Sequence, residues 1–242
     1  MRVLLAIGLF ALFVLGAVLG LVVGVVVFPV SLYRAARAVH ADGVVCRAEL
    51  VARDPAADRL AGPAVVRMSG AFEGQATTGS DVLGVLLRIP PDDAARGDQD
   101  LLFGSFESFL TAARDRAATD TGDYLANRYS TVTPWWLTSY GPVILRLIAP
   151  PPAARERGSD RLARLDADLA ADRARFSLAV VRPAGDAVLA ELRLIERLAV
   201  DDRTLRASMF RQGRGLRPLG LRNGIRATVY PMSQLARRLR GR

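Results

Sequence analysis

Three side chains near the C-terminus, Arg226, Tyr230 and Arg237, have types and a spacing that suit a single flat ligand. Steps of four and then seven residues place them within about 60° of one another on an α-helix, at roughly 100° per residue. A phenolate can bind a metal ion, and arginine binds anionic groups as a planar donor. An ordinary basic amphipathic helix would show the same pattern, so this segment alone leaves both interpretations open.

His40 is the only histidine of the chain. A lone histidine is more often a structural residue than a catalyst, but a neutral imidazole can also accept and return a proton near neutral pH. The neighbouring sequence favours the catalytic interpretation. The segment from Arg37 to Gly43 resembles the segment of the haem catalases in which an arginine and the distal histidine lie three residues apart.

Other segments resemble the same family in the same order along the chain. Val66 to Ser69 is similar to a family strand that carries an arginine and a serine. Asp81 to Gly84 is similar to the family's Asp-x-x-Gly strand, and Asp100 to Leu102 is similar to the segment that follows that strand. The C-terminal arginines and tyrosine have the family spacing, and Pro231 follows the tyrosine as it does there. The resemblance covers about residues 33 to 240. It is to the short catalase-related peroxidases rather than to full-length catalases.

The resemblance implies a haem cofactor (iron protoporphyrin) with Tyr230 as the iron ligand and Arg226, one turn away, favouring the phenolate. It implies that His40 takes the proton of a bound peroxide and passes it to the departing oxygen, while Ser69 holds the imidazole in place. The arginines implied to pair with the haem propionates are Arg37, Arg67 and Arg237. The implied fold is α+β, a catalase-like antiparallel β-barrel with flanking helices.

One position departs from the family. The asparagine that orients peroxide is missing after Leu102, where the chain continues through Phe103 and Gly104 to Ser105, and we expect Ser105 to replace it in part. The resemblance implies a peroxidase acting on hydrogen peroxide or organic (lipid) hydroperoxides. The alternative is a catalase-fold binding or scaffold protein at a membrane, without catalytic activity. One histidine and one cysteine offer no metal-ligand cluster, and there is no Gly-x-Ser-x-Gly motif, which argues against a hydrolase.

The elements that must position these residues are short strands and two helices. The first helix is predicted from Asp160 to about Arg175, with Ser159 as N-cap, and the second from Asn223 to Arg240, with Pro231 starting or kinking it. Short apolar or alternating runs between turn residues predict an antiparallel sheet or barrel of about eight strands. The predicted strands are Gly43 to Ala52, Ala64 to Ser69, Val82 to Ile89, Asp100 to Phe103, Tyr124 to Thr133, Val143 to Ile148, Ser177 to Val181 and Ala187 to Arg193.

The N-terminal segment from Val3 to Tyr33 contains no charged residue. Roughly twenty residues cross a hydrocarbon core of about 30 Å, so we predict an uncleaved single-pass anchor in residues 1–33 and one domain in residues 34–242. A secretory signal is the alternative, but its apolar region normally has about 7 to 15 residues. Arg34, Arg37 and Arg47 follow the anchor, and the positive-inside rule then predicts a cytoplasmic domain. The single cysteine, Cys46, agrees with a reducing compartment.

Three glycines, Gly16, Gly20 and Gly24, recur every four residues in the anchor. This spacing lets a second helix approach closely, which predicts a homodimer through this face, although glycine is also simply common in membrane helices.

The chain has a net charge of +9 and no lysine, and residues 203–242 hold eleven arginines and no acidic residue. Stacking aromatic residues are not interleaved with these arginines, so we expect contact with acidic membrane lipid and no binding of nucleic acid.

Overall fold

The computed structural model describes residues 2–34, 40, 42–72, 79–91, 97–108, 110–151 and 158–240. Four α-helices lie in these ranges: α1 (Arg2–Arg34), α2 (Ala112–Ala118), α3 (Arg161–Ala170) and α4 (Leu221–Leu239). Eleven strands lie there too: β1 (Gly43–Ala52), β2 (Gly62–Gly70), β3 (Leu83–Ile89), β4 (Gln99–Gly104), β5 (Arg128–Ser130), β6 (Trp135–Leu137), β7 (Gly141–Val143), β8 (Leu145–Ile148), β9 (Arg175–Val180), β10 (Ala187–Arg197) and β11 (Arg217–Pro218).

Eight of these strands close into an antiparallel barrel in the order β1-β10-β9-β8-β5-β4-β3-β2. The other three form a small sheet, β11-β6-β7. Each of the eight predicted strands corresponds to one barrel strand, so the prediction of an α+β protein with an antiparallel barrel is confirmed. The predicted strand from Tyr124 to Thr133 is the one that is much shorter in the structure. Its first half is held in a turn by Asn127, whose amide donates to the carbonyls of Asp120 and Asp123.

Alternate residues of each strand fill the barrel interior, as the two-residue period of a strand requires. On β1 the buried residues include Cys46, Ala48 and Leu50, and on β9 they include Phe176 and Leu178.

Burial should make Cys46 unreactive. Its side chain is fully buried in the barrel, and this burial raises the pKa of the thiol from 9.0 to about 12. Because the thiolate is the nucleophile, we expect no reaction of the native protein with a thiol reagent at pH 8 and one equivalent after unfolding in denaturant. Modification of the native protein at the rate of a free thiol would show that β1 opens readily.

Helix α3 lies where the first helix was predicted, but its ends differ from the predicted ones. Its N-cap is Asp160 rather than Ser159, because the Asp160 carboxylate accepts hydrogen bonds from the backbone N–H groups of Leu162 and Ala163. The helix ends at Ala170 rather than near Arg175, since Asp172 has a left-handed backbone (φ 52°) and β9 begins at Arg175. Helix α4 begins two residues earlier than predicted and contains Pro231 in its interior.

Helix α1 is one continuous helix that includes Pro29. Its segment Val3–Tyr33 is long and apolar enough to cross a membrane, with a mean hydropathy of 2.9. A signal sequence near the N-terminus has the same properties, so length and composition do not separate the two.

The glycine face of α1 is covered by α4 of the same chain. A Cβ atom at Gly16 would lie 1.8 Å from the Leu221 carbonyl oxygen, and one at Gly20 would lie 2.8 Å from the Ile225 carbonyl oxygen. A Cβ atom at Gly24 would lie 2.1 Å from the sulfur of Met232. The sequence therefore predicts the close approach of a helix correctly, but that helix is intramolecular. A homodimer through this face would require a second copy to displace α4.

Candidate functional site

A cavity of about 450 Å³ lies against strands β2, β3 and β4, with α4 on another side. Its volume is typical of sites for small molecules and cofactors, which occupy about 300–1,000 Å³. Arg67 and Ser69 of β2 line it, whereas the intervening Met68 belongs to the barrel core. Because side chains alternate along a strand, the cavity lies on the outer face of the barrel. Val27 of α1 also contributes to the wall.

His40 is fixed at the cavity by Ser69 and Gly84. Its Nδ1 atom lies 3.1 Å from the hydroxyl oxygen of Ser69, and its backbone N–H donates to the carbonyl of Ala71 at 2.8 Å. The backbone of His40 is left-handed (φ 58°), a strained conformation for a non-glycine residue that surrounding contacts must hold. Gly84 makes room for the ring, because a Cβ atom at that position would lie 2.5 Å from His40 Cε1.

Arg67 connects this histidine to an acidic residue that the sequence did not single out. Its guanidinium donates to the Ser69 hydroxyl at 2.9 Å and to the His40 carbonyl at 2.9 Å. The same guanidinium forms an ion pair with Asp202 at 2.5 Å, in which the Arg67 side chain is 5 % exposed and that of Asp202 is 12 % exposed. A continuous chain of polar contacts therefore runs from Asp202 through Arg67 and Ser69 to His40. This ion pair competes with the role that the resemblance implies for Arg67, which is pairing with a propionate.

The three residues singled out on α4 all line the same cavity: Arg226, Tyr230 and Arg237. Arg226 donates to the side-chain oxygen of Asn223 at 3.3 Å. The Tyr230 hydroxyl makes no hydrogen bond to any residue in the part of the chain that the structure describes. The shared helix face predicted from the spacing is thus observed, and it is turned towards the cavity.

Arg237 is a buried cation, 7 % exposed, and within the described ranges it makes no ion pair. Its Nε atom donates to the Ser233 carbonyl at 3.4 Å. Burial lowers the pKa of Arg237 from its usual value, and the positive charges of Arg206 and Arg67 lower it further. A buried arginine that is repelled by its neighbours favours the binding of an anion.

Removing this charge should stabilise the protein when no ligand is added. We expect Arg237→Met to raise the free energy of unfolding by about 1 kcal/mol, because a buried charge that makes no ion pair with a described residue is replaced by an apolar side chain of similar length. The measurement is denaturant unfolding in detergent, with Arg238→Met, at the exposed neighbouring position, as the control that should change little. A clear loss of stability in Arg237→Met alone would show that its charge is already compensated.

The remaining two residues named from the sequence are Arg37 and Ser105. Arg37 lies outside the described residues. The expectation that Ser105 replaces the missing asparagine is wrong, because Ser105 does not line the cavity. Its hydroxyl accepts the backbone N–H of Leu83 and bonds the Thr119 hydroxyl. Phe106 lines the cavity near that position instead.

No protein-family model matches the chain, and no curated protein is significantly similar to it. The fold and the site define its class on their own. It is an α+β protein with a closed eight-stranded antiparallel barrel, an N-terminal helix apolar and long enough to cross a membrane, and a cavity where one histidine, one tyrosine and several arginines meet.

Proposed function

We propose that the cavity binds haem with Tyr230 as the iron ligand, and that the protein is a peroxidase acting on hydrogen peroxide or on organic hydroperoxides. One observation carries the proposal. Residues from opposite ends of the chain, singled out by the same resemblance, line a single cavity: His40 and Ser69 near one end and Arg226, Tyr230 and Arg237 near the other.

The residues on α4 suit the binding of haem. The Tyr230 hydroxyl makes no hydrogen bond to a described residue, so it is available as an iron ligand, and Arg226, one helical turn away, lines the same cavity. Arg237 supplies a buried cation that makes no ion pair within the described ranges and that would suit a propionate. Haem, when bound, supplies the redox chemistry of the reaction.

The residues around His40 suit proton transfer. The Ser69 oxygen has two lone pairs, so it can accept from the Arg67 guanidinium and from Nδ1–H of His40 together. In that tautomer Nε2 of His40 is unprotonated and can accept a proton from a peroxide, then return it to the departing oxygen. Asp202 keeps Arg67 in the position that this arrangement needs.

A second candidate is a catalase-fold binding or scaffold protein without activity. The observation that favours it is the ion pair of Arg67 with Asp202, because this pair already neutralises an arginine that the resemblance assigns to a propionate. Haem binding separates the two candidates.

The test is the absorption spectrum of the purified full chain in detergent during titration with haemin. We expect a saturable Soret band that is lost or strongly shifted in Tyr230→Phe, with Arg237→Met lowering haemin affinity. Tyr33→Phe is the matched control, since Tyr33 lies on α1 and is 84 % exposed. A protein that takes up no haemin, or a Tyr230→Phe spectrum identical to that of the parent, would overturn the proposal and leave the scaffold.

Attachment to a membrane through α1 and a cytoplasmic domain remain predictions from the sequence. A membrane site would suit hydroperoxides derived from lipids.

A further inference from the structure

Helix α1 contacts α4 along most of its length. The Gly220 backbone N–H donates to the Leu9 carbonyl at 2.9 Å, the Thr228 hydroxyl to the Ala17 carbonyl at 2.8 Å, and Arg240 to the Leu32 carbonyl at 3.1 Å. Partners on both helices advance together in residue number, so the two helices run parallel. These bonds hold α1 against the globular domain from Leu9 to Leu32.

The docked part of α1 leaves too little helix to cross a bilayer. Only residues 2–8 of α1 precede Leu9, whose carbonyl accepts the hydrogen bond from Gly220 at the start of α4. At 1.5 Å per residue they extend about 10 Å, against a hydrocarbon core of about 30 Å.

Crossing the membrane together with α4 is equally unfavourable. Helix α4 carries Arg222, Arg226 and Arg237, and arginines in a hydrocarbon core are costly. Helix α1 also contacts β7 of the small sheet, so its side that faces the domain is enclosed by protein.

The side of α1 opposite the glycines is exposed and apolar. Val14, Val18, Val22 and Val25 are 49 %, 57 %, 68 % and 68 % exposed and lie on one helix face. Near the end of α4, Leu235 and Leu239 are also exposed, at 51 % and 67 %. Arg238, which lies between these two leucines on α4, is also exposed.

We propose that α1 does not cross the bilayer but lies with its valine face in one leaflet, while the arginines at the end of α4 meet acidic headgroups. The helix pair then combines what an interfacial membrane helix needs, an apolar face and adjacent basic residues. This arrangement is an alternative to the predicted single-pass anchor, and it does not depend on haem.

The first test asks whether the docked helices persist in the membrane. The Ser31 and Ser233 hydroxyls are 2.7 Å apart, so the pair Ser31→Cys with Ser233→Cys is close enough for a disulfide. We expect it to form on mild oxidation of protein bound to phosphatidylcholine vesicles that contain phosphatidylglycerol. Val30→Cys with Ser233→Cys is the control that should not crosslink, since Val30 is 40 % exposed. Absence of the Ser31–Ser233 crosslink on vesicles would overturn the proposal.

The second test asks on which side of the membrane the N-terminus lies. A cysteine in a short polar extension ahead of Met1 is labelled with an impermeant maleimide in sealed inside-out membrane vesicles from expressing cells. Val200→Cys, 51 % exposed, reports the side of the domain, and the buried Cys46 contributes no signal. We expect both introduced cysteines to be labelled from the same side. Labelling from opposite sides would establish a spanning helix instead.

The third test addresses the lipid. We expect Arg238→Gln to weaken binding to vesicles with phosphatidylglycerol about fivefold and binding to neutral vesicles little. Arg114→Gln, in α2 with a side chain 76 % exposed, is the control. Equal binding of the parent protein to acidic and neutral vesicles would contradict the headgroup contact.

Discussion

Gly16→Val is expected to separate α1 from α4 and to lower the free energy of unfolding by about 3 kcal/mol. The reason is geometric. A Cβ atom at Gly16 would lie 1.8 Å from the Leu221 carbonyl oxygen and 2.7 Å from its carbonyl carbon. Both are backbone atoms, so no side chain can rotate away, and one helix has to move. Denaturant unfolding followed by circular dichroism measures the loss.

The matched control is Gly8→Val on the same helix. No atom lies within 4 Å of a Cβ at Gly8, so this substitution adds the same side chain to the same helix without a clash. We expect it to change the free energy of unfolding by less than about 0.5 kcal/mol. Equal stability of the two variants would show that the contact between α1 and α4 contributes little, and the argument for an interfacial α1 would then lose its basis.

Gly84→Ala is expected to reduce peroxide turnover of the haem-loaded protein about 100-fold, the usual scale for losing a general acid and base. The new methyl group would lie 2.5 Å from Cε1 and 3.0 Å from Nδ1 of His40, so the imidazole must leave its hydrogen bond to Ser69. Alanine is accepted in a strand at least as well as glycine. Stability should therefore change little while activity falls.

His40 offers a direct measurement, because it gives the only imidazole signals in an NMR spectrum of the protein. We expect Gly84→Ala to shift these signals. Ser69→Ala is the comparison that removes the hydrogen bond without adding a group, and it should shift the Nδ1 signal in particular. Unchanged imidazole signals together with full peroxide turnover in Gly84→Ala would remove His40 from the mechanism.

The barrel was predictable because its signal is local. Each strand shows its own alternation or apolar run, and turn residues separate them. The predicted bounds of strands and helices were wrong where a side-chain hydrogen bond to the backbone ends or begins an element. Asn127 bonds two carbonyls and turns the chain ahead of β5. The Asp160 carboxylate, one residue after the predicted N-cap, accepts hydrogen bonds from the first backbone N–H groups of α3.

The site was predictable only where spacing or resemblance carried information. The helix periodicity places Arg226, Tyr230 and Arg237 together, and the structure shows them at one cavity. Asp202 was missed because its partner Arg67 is 135 residues away, and no local pattern marks such an ion pair. Val27 was missed for a related reason, since an apolar residue in a uniformly apolar helix gives no sign that it faces a cavity.

The contact between α1 and α4 also constrains how the protein is made. Ser31 and Ser233 touch although they are 202 residues apart, so α1 leaves the ribosome long before the helix that covers its glycines exists. Early capture of α1 by the membrane would shield its apolar surface while the barrel strands are still being synthesised. The cavity, whose wall includes Val27 and α4, is completed only when the last helix docks. A ligand that fills the cavity would therefore enter most easily before α4 docks against the barrel.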